Sequence, residues 1–567
     1  MTSSRWESRP RFAGPTWVRG YRRGWLRADV LAGITVTAYL IPQVMAYAEL
    51  AGLPPVAGLW GAIGAMVAYA ALGTSHQLSV GPESTTALMT AVAIGTVVTT
   101  KGDYASFAVA LALVVAVLCV LGRFAGLARL SDLLSKPVLV GYMAGVAAIM
   151  VVSQLGKLTR ITVEGDGFVP ELWFVARHLD EVHVPTVTLG LGAAAAMIVG
   201  ARLWPRAPVA LAGMLATTAV VALFELQDRG VKVIGEIPSA VPPFAVPRIG
   251  VDGFASLLIP ALGVVFVAYS DNILTARAFE DRDHPVQPPR ELLALGAANL
   301  GAGLMHGFPV SSSGSRTAIA AAVGARSQLA GLVTVLATVL ALLFLRPVLG
   351  AFPAAALGAV VVYAATRLVE IPEFRRFAVF RRSELVLALG TTAAVLVVGV
   401  LEGILVAIAL SLGDLLRRVS HPHDAVLGFV PDLAGMHDVD DFPEASVLPG
   451  LMIYRYDSPL FFANAEDFRA RALRSIEESE QPIRWFVLNA ESNVEVDITA
   501  VDALDELRIE LGHRGIEFAM ARVKQDLADY LGRSGFLERV GPARVFPTLP
   551  TAVDAYRRWA GLPDPPA

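Results

Sequence analysis

Two stretches of this chain combine residue types that hold an anion in a low-dielectric medium. In LSVGPESTTALM (78–89) a short extended piece meets Gly81-Pro82 and then a helix. In HGFPVSSSGSRTAIA (306–320) a similar piece runs through Pro309, a set of serines and Gly314 into another helix. A helix that begins inside an apolar layer presents unpaired N–H groups and the positive end of its dipole. Two such ends facing each other make an anion cradle. Pro82 suits an early helical position, where no N–H is needed. Ser311, Ser312, Ser313 and Ser315 add hydroxyl donors, and Arg316 puts a full charge about one turn into the second helix. An ionisable group at membrane depth marks function by default. For either stretch alone a packing role stays open, because Gly/Pro breaks and serine hydroxyls also serve the backbone of ordinary membrane helices.

Two carboxylates share these segments. Glu83 lies in the first turn of the first short helix, where the dipole suits a negative charge, and Asp271 lies in FVAYSDNILTARAF. Beside an anion each must be neutralised. Protonation on burial, a bound Na⁺ and pairing with Arg316 are the three routes.

The elements that position these residues are apolar spans. Of 567 residues 55% are hydrophobic and 17% charged, against about 25% charged in soluble domains. Fourteen segments approach the ~20 apolar residues of a spanning helix: 29–49, 56–73, 82–98, 104–122, 136–156, 184–202, 208–226, 254–276, 291–306, 312–325, 327–345, 351–367, 384–400 and 402–418. The short, interrupted segments are the third of the first seven and the third of the second seven. Matching interruptions point to a midplane site in an inverted repeat. An even number of spans puts both termini on one side. Seven arginines precede the first segment (Arg5, Arg9, Arg11, Arg19, Arg22, Arg23 and Arg27), and the later segments on the same side hold Arg123, Arg129, Lys136, Arg202, Arg206, Arg277, Arg282, Arg290, Arg326, Arg367, Arg375, Arg376, Arg381 and Arg382. The opposite side holds only Lys101, Lys157, Arg160, Arg177, Arg229, Lys232, Arg248 and Arg346. That bias places both termini in the cytoplasm of a bacterial inner membrane. Residues 1–28 thus read as a cytoplasmic segment without a signal peptide, and 29–418 as the membrane domain.

Residues 419–449 read as a linker rich in Pro, Gly and Asp. From 450 to 562 the pattern changes to that of a small α/β domain. LMIYRY (451–456) and LFFAN (460–464) read as paired strands, 465–478 as a helix, WFVLNA (485–490) as a buried strand, 498–515 as a helix and EFAMARV (517–523) as a strand.

The net charge of −4 gives no footprint for nucleic acid. The single cysteine, Cys119, excludes an intramolecular disulfide and a multi-cysteine metal site. No GxxxxGK[ST] loop is present, so nothing here uses ATP directly, and the nine histidines show no ligand cluster or triad spacing. An enzyme is not expected, nor a cofactor or resident metal, a possible Na⁺ at Asp271 aside.

At these residues the chain resembles the sulfate permease (SulP) family, relatives of the mammalian multifunctional anion exchangers and prestin. The resemblance rests on IPQVMAYAELAGLPPVAGLW (41–60), GTS (73–75), VGPES (80–84) and GFPVSSSGSRTA (307–318), and the C-terminal domain is similar to a STAS domain. It implies fourteen helices in a seven-plus-seven inverted repeat, divided into a core and a gate domain, with elevator-like movement and homodimers. It places the anion between helices three and ten, with Gln43 and Tyr47 lining the site from helix one and Ser315 and Arg316 from helix ten, and Asp271 and Thr275 matching the positions through which sodium-coupled bicarbonate members hold the cation. Glu83, Ser84, Ser311, Ser312, Ser313 and Gly314 join the candidate lining from the helix starts read above, and H⁺ is the other candidate coupling ion. The family's Tyr-Gly-Leu-Tyr is here Ala57-Gly58-Leu59-Trp60, and its basic residue after Gly-x-Ser is His76. The serine-rich start of helix ten suits an oxygen-rich anion such as sulfate. In sigma-factor-regulating STAS relatives a phosphorylated Ser/Thr opens a helix after an Asp; here that is Thr499, although Asp497 or Thr499 as a simple N-cap fits the same residues.

The leading expectation is therefore a secondary transporter of a small inorganic anion, sulfate first and bicarbonate or dicarboxylates next. A nucleobase permease shares the repeat architecture, and an anion-binding scaffold that signals through the STAS domain is the alternative from another class.

Overall fold

The structure, a computed structural model, describes residues 16–95, 97, 104–126, 135–163, 167–237, 244–280 and 285–562. Of the charges that entered the topology argument, Arg5, Arg9, Arg11, Lys101, Arg129 and Arg282 lie outside the described residues. The chain divides into two compact units, with the boundary between Ser411 and Leu412.

The first unit is helical. In chain order it contains α1 (Leu26–Leu50), α2 (Pro55–Leu72), β1 (Val80–Gly81), α3 (Ser84–Gly95), α4 (Tyr104–Phe124), α5 (Lys136–Ser153), α6 (Val184–Leu203) and α7 (Val209–Leu223). There follow α8 (Leu258–Ala278), α9 (Pro288–Leu304), β2 (Ser311–Ser312), α10 (Gly314–Val323), α11 (Leu329–Phe344), α12 (Ala354–Leu368), α13 (Arg382–Val398) and α14 (Val400–Ser420), the last running across the boundary of the two units. Among the described residues seven helical stretches are long and apolar enough to cross a membrane, while α3, α7 and α11 are apolar but shorter. At 12 and 10 residues, α3 and α10 reach only part-way across a hydrocarbon layer of about 30 Å.

The packing repeats with a shift of seven helices. α1 packs on α11, and α8 on α4; α4 packs on α9, and α11 on α2. α5 packs on α13, and α12 on α6; α1 packs on α10, and α8 on α3. The pairs α2–α9 and α5–α12 map onto themselves. This is the contact pattern of a seven-plus-seven repeat. The α2–α9 crossing is backbone to backbone: a Cβ on either Gly64 or Gly301 would collide with the other's carbonyl. Small residues that let helices approach this closely are the membrane substitute for a hydrophobic driving force between them.

The second unit is an α/β domain. It comprises β3 (Asp424–Phe429), β4 (Met436–Asp438), β5 (Leu451–Tyr456), α15 (Ala465–Glu477), β6 (Trp485–Asn489) and α16 (Ile498–His513). β7 (Glu517–Ala521), α17 (Gln525–Arg533), α18 (Phe536–Val540), β8 (Val545–Phe546) and α19 (Leu549–Ala560) complete it. The sheet order is β4-β3-β5-β6-β7-β8, parallel from β5 to β8 and antiparallel at β3 and β4. α15 to α18 bury Phe468, Leu504, Leu531 and Phe536 on one face, and α19 buries Tyr556 on the other.

Two features differ from the sequence reading. β3 and β4 lie within the stretch read as a linker. Residues 460–464 form no second strand: Leu460 makes a single bridge to Val496, and the Asn464 amide donates to the carbonyls of Val419 and Pro459. Those side-chain bonds satisfy the local backbone as a turn, with Phe462 left exposed.

Candidate functional site

The two interrupted segments meet. β1 and β2 pair antiparallel, Val80 with Ser312 and Gly81 with Ser311, and the Ser313 amide donates to the Ser79 carbonyl at 2.9 Å. Each strand runs straight into its short helix, so the two helices start from one two-stranded frame. α1 packs against both short helices, and α8 packs against α3 and β2.

Arg316 crosses this frame. It is fully buried; Nη1 donates to the Pro82 carbonyl at 3.1 Å and Nε to Ser79 Oγ at 3.4 Å. Its Nη2 has no protein acceptor among the described residues, although the atom is buried. A Cβ at Gly81 would sit 3.4 Å from Nη2, so a glycine there leaves room beside the guanidinium. A buried cationic N–H without an acceptor is costly, and an anion at that position would satisfy it. Arg316 forms no ion pair with Asp271 or Glu83 among the described residues. Pairing with Arg316 therefore does not neutralise Asp271 in this conformation.

The two helix ends are unequal. At α3 the Glu83 carboxylate fills the N-terminus: Oε2 accepts the Thr85 amide at 2.8 Å and Oε1 the Ser84 hydroxyl at 2.6 Å. At α10 Ser313 is the N-cap and accepts the Arg316 amide at 3.5 Å, while Gly314 and Ser315 are exposed. Gly314 offers no side chain to fill that space; a Cβ there would meet only Thr275 Oγ1, at 3.9 Å. The open donors thus belong to α10, and at α3 a carboxylate of the chain occupies the place of an anion.

Around this frame lie the remaining predicted residues. Gln43 is 6% exposed on α1, just after Pro42, and its Oε1 has no partner among the described residues. Tyr47, one turn further, is buried, with its hydroxyl directed at Ser84 and the charges of Glu83 and Arg316 in range. Asp271 on α8 accepts from Ser311 Oγ at 3.4 Å and Ser312 Oγ at 3.3 Å, and Thr275 follows one turn on. Asp271 is also within electrostatic range of Glu83. Thr499 belongs to the other unit. It is exposed in the first turn of α16, whose N-cap is Asp497, accepting the Ala500 amide at 2.9 Å.

Sequence reasoning did not single out the residues that hold the frame. Asn299 on α9 donates to the Val310 carbonyl at 3.1 Å and accepts the Val310 amide at 2.9 Å, acting as one residue of an added strand beside β2. Thr317 Oγ1 accepts the Ser79 amide at 3.0 Å. Glu291 is fully buried and accepts from Tyr69 Oη, the amide and hydroxyl of Thr74, the Ser75 amide and Asn272 Nδ2. Asp29, also fully buried, accepts the amides of Arg326 and Ser327 and the Ser327 hydroxyl. Asn299 stands within an apolar run, and Asp29 and Glu291 at the start of one, which is the one signal the sequence offered.

The sequence profile described as "Sulfate permease family" matches residues 26–411, and the STAS domain profile matches residues 442–552. A protein of Mycobacterium tuberculosis named as a probable sulfate transporter is 54% identical over 562 residues, covering 98% of this chain and 99% of that protein. The chloroplastic sulfate transporter 4.1 of Arabidopsis thaliana is 30% identical over 560 residues, covering 95% and 81%. Among solved structures, the murine solute carrier 26 family member A9 anion transporter in the inward-facing state superposes with a TM-score of 0.86 at 19% identity, covering 95% of this chain and 93% of that one. The transmembrane domain of a cyanobacterium bicarbonate transporter gives a TM-score of 0.60 at 19% identity, covering 69% and 99%.

Proposed function

This chain belongs to the sulfate permease family and carries a STAS domain, and we propose that it moves sulfate by secondary active transport, with the anion held between the starts of α3 and α10. The observation that carries this reading is the buried Arg316 guanidinium, bonded to the chain entering α3 and left with an unsatisfied Nη2 beside Gly81. The open N-terminus of α10, with the Ser315 hydroxyl and the amides of Gly314 and Ser315, supplies further donors to a tetrahedral oxyanion. Gln43 and Tyr47 close the site from α1, with Ser84 behind Tyr47. Ser311 and Ser312, whose hydroxyls bond Asp271, tie the same strand to the coupling group.

Coupling is assigned to Asp271 with Thr275. A proton or a Na⁺ there would cancel a negative charge that otherwise repels the cargo. Movement is assigned to two groups of helices: α1–α4 with α8–α11, which carry the site, and α5–α7 with α12–α14. The first group slides against the second, carrying the site across a homodimeric scaffold in a bacterial inner membrane with both termini in the cytoplasm.

The test is radiolabelled sulfate uptake into proteoliposomes, with and without imposed H⁺ and Na⁺ gradients, beside Arg316→Ala. Saturable uptake driven by one gradient and lost in the variant is the expected result. Uptake of bicarbonate or fumarate in place of sulfate would reassign the cargo. Anion binding without flux would favour a scaffold over a carrier.

A further inference from the structure

A cavity lined by two arginines lies outside the proposed transport site. A cavity of about 460 Å³ is lined by Arg22, Trp25, His76, Gln77, Glu280 and Arg326, among others. It sits where four helix ends converge: the start of α1, the loop after α2, the end of α8 and the turn between α10 and α11. Helix ends of a membrane domain lie at the level of the lipid headgroups. The chain that leads into α1 has the composition of that level. Trp17, Tyr21 and Trp25 stack edge to face at 6.4 and 5.9 Å, Arg22 lies 6.0 Å from the Trp25 ring, and Trp17 anchors the segment by donating to the Ala70 carbonyl at 2.7 Å.

Among the described residues the charges that line this cavity are unbalanced. Among the described residues neither the Arg22 nor the Arg326 guanidinium has an ion-pair or hydrogen-bond partner. Arg326 is held by its backbone alone, through its amide to Asp29. Glu280 is the carboxylate of the lining, and its Oε1 accepts the Val286 amide at 2.6 Å. Both guanidinium groups line one cavity, where an anion between them would offset their mutual repulsion, and guanidinium geometry matches phosphate oxygens. We propose that this cavity binds a phosphate group, carried by an anionic lipid headgroup or by a soluble phosphate, between Arg22 and Arg326. Such a ligand would tie the segment before α1 to the turn that follows α10, one helix away from the transport site.

The test compares the purified full-length protein with R22Q/R326Q. Both residues are exposed and neither side chain enters the network of Asp29. Native mass spectrometry reads retention of phosphatidylglycerol against phosphatidylcholine, and thermal unfolding reads the response to inorganic phosphate. The wild type should hold phosphatidylglycerol on the order of tenfold more strongly than the double variant, with no such difference for phosphatidylcholine. Stabilisation by inorganic phosphate in the wild type alone, without lipid retention, assigns the cavity to a soluble phosphate. Equal lipid retention and equal phosphate response in both proteins overturns the proposal. If the double variant does not elute as a folded species, R22Q and R326Q separately are read by the same two measurements.

Discussion

The guanidinium of Arg316 and the carbonyl of Pro82 are bonded at 3.1 Å, so a side chain from α10 closes onto the chain that enters α3. The two halves of the membrane unit are thereby joined at the one place where both interrupt their helices. Among the described residues Arg316 has protein acceptors for Nε and Nη1 and none for Nη2. Arg316→Ala should reduce sulfate uptake to background while the protein still elutes as a folded species. Arg316→Lys keeps the charge but cannot reach Ser79, Pro82 and an anion together, and should recover only part of the uptake. Normal uptake by the alanine variant would refute the assignment.

Glu83 occupies the donors at the start of α3. An anion that uses those donors must displace it or coexist with its charge. Glu83→Gln removes the repulsion and should lower the KM for sulfate by on the order of tenfold. A KM that rises instead would mean that the carboxylate positions the helix start and does not compete with the cargo.

Asp271 faces Ser311 and Ser312, not Arg316. Asp271→Asn preserves shape and hydrogen-bonding capacity while deleting the charge. Uptake by this variant should become indifferent to the imposed H⁺ or Na⁺ gradient. Gradient stimulation equal to wild type would exclude Asp271 as the coupling group.

Asn299 pairs with both backbone groups of Val310. Asn299→Leu leaves a buried amide and carbonyl unsatisfied, a cost of about 1–3 kcal/mol for each. The variant should unfold at lower temperature and bind sulfate more weakly, because β2 loses its lateral support. Unchanged thermal unfolding would show that water replaces the side chain.

In the second unit the phenol of Tyr454 is fully buried, and its Oη donates to Asp424 Oδ2 at 2.6 Å. Burial first, then the bond to and charge of Asp424, raise its pKa far above the usual phenol range. The unfolded phenol ionises near pH 10, and the folded one keeps its proton beyond that. Folded protein then binds the extra proton, so stability is intact below about pH 10 and falls above it, by about 1.4 kcal/mol per pH unit. Tyr454→Phe should flatten that alkaline loss, as followed by denaturant unfolding of this domain at pH 9 and pH 11.

Much of this architecture was legible because membrane helices announce themselves by length. The third and tenth apolar segments were visibly short and broken, and they do meet. Harder to read were contacts that depend on pairing at a distance. Nothing local links Val80 to Ser312, or Asn299 to Val310; only the folded repeat brings them together. β3 and β4 were missed because three- and six-residue strands interrupted by Pro431, Asp432 and Gly435 lack the alternation that marks longer ones. The filled end of α3 was missed for another reason. Glu83 was expected to enjoy the dipole, but which donors it takes depends on side-chain geometry that residue types do not encode.

β1 and β2 span two residues each and are joined by main-chain groups, which every amino acid except proline supplies. The pairing of the two strands is therefore indifferent to which side chains stand at 311 and 312. Side chains at 311 and 312 can be exchanged without removing the main-chain bonds of the pairing, so the chemistry facing Asp271 can change while the two short helices keep their common frame.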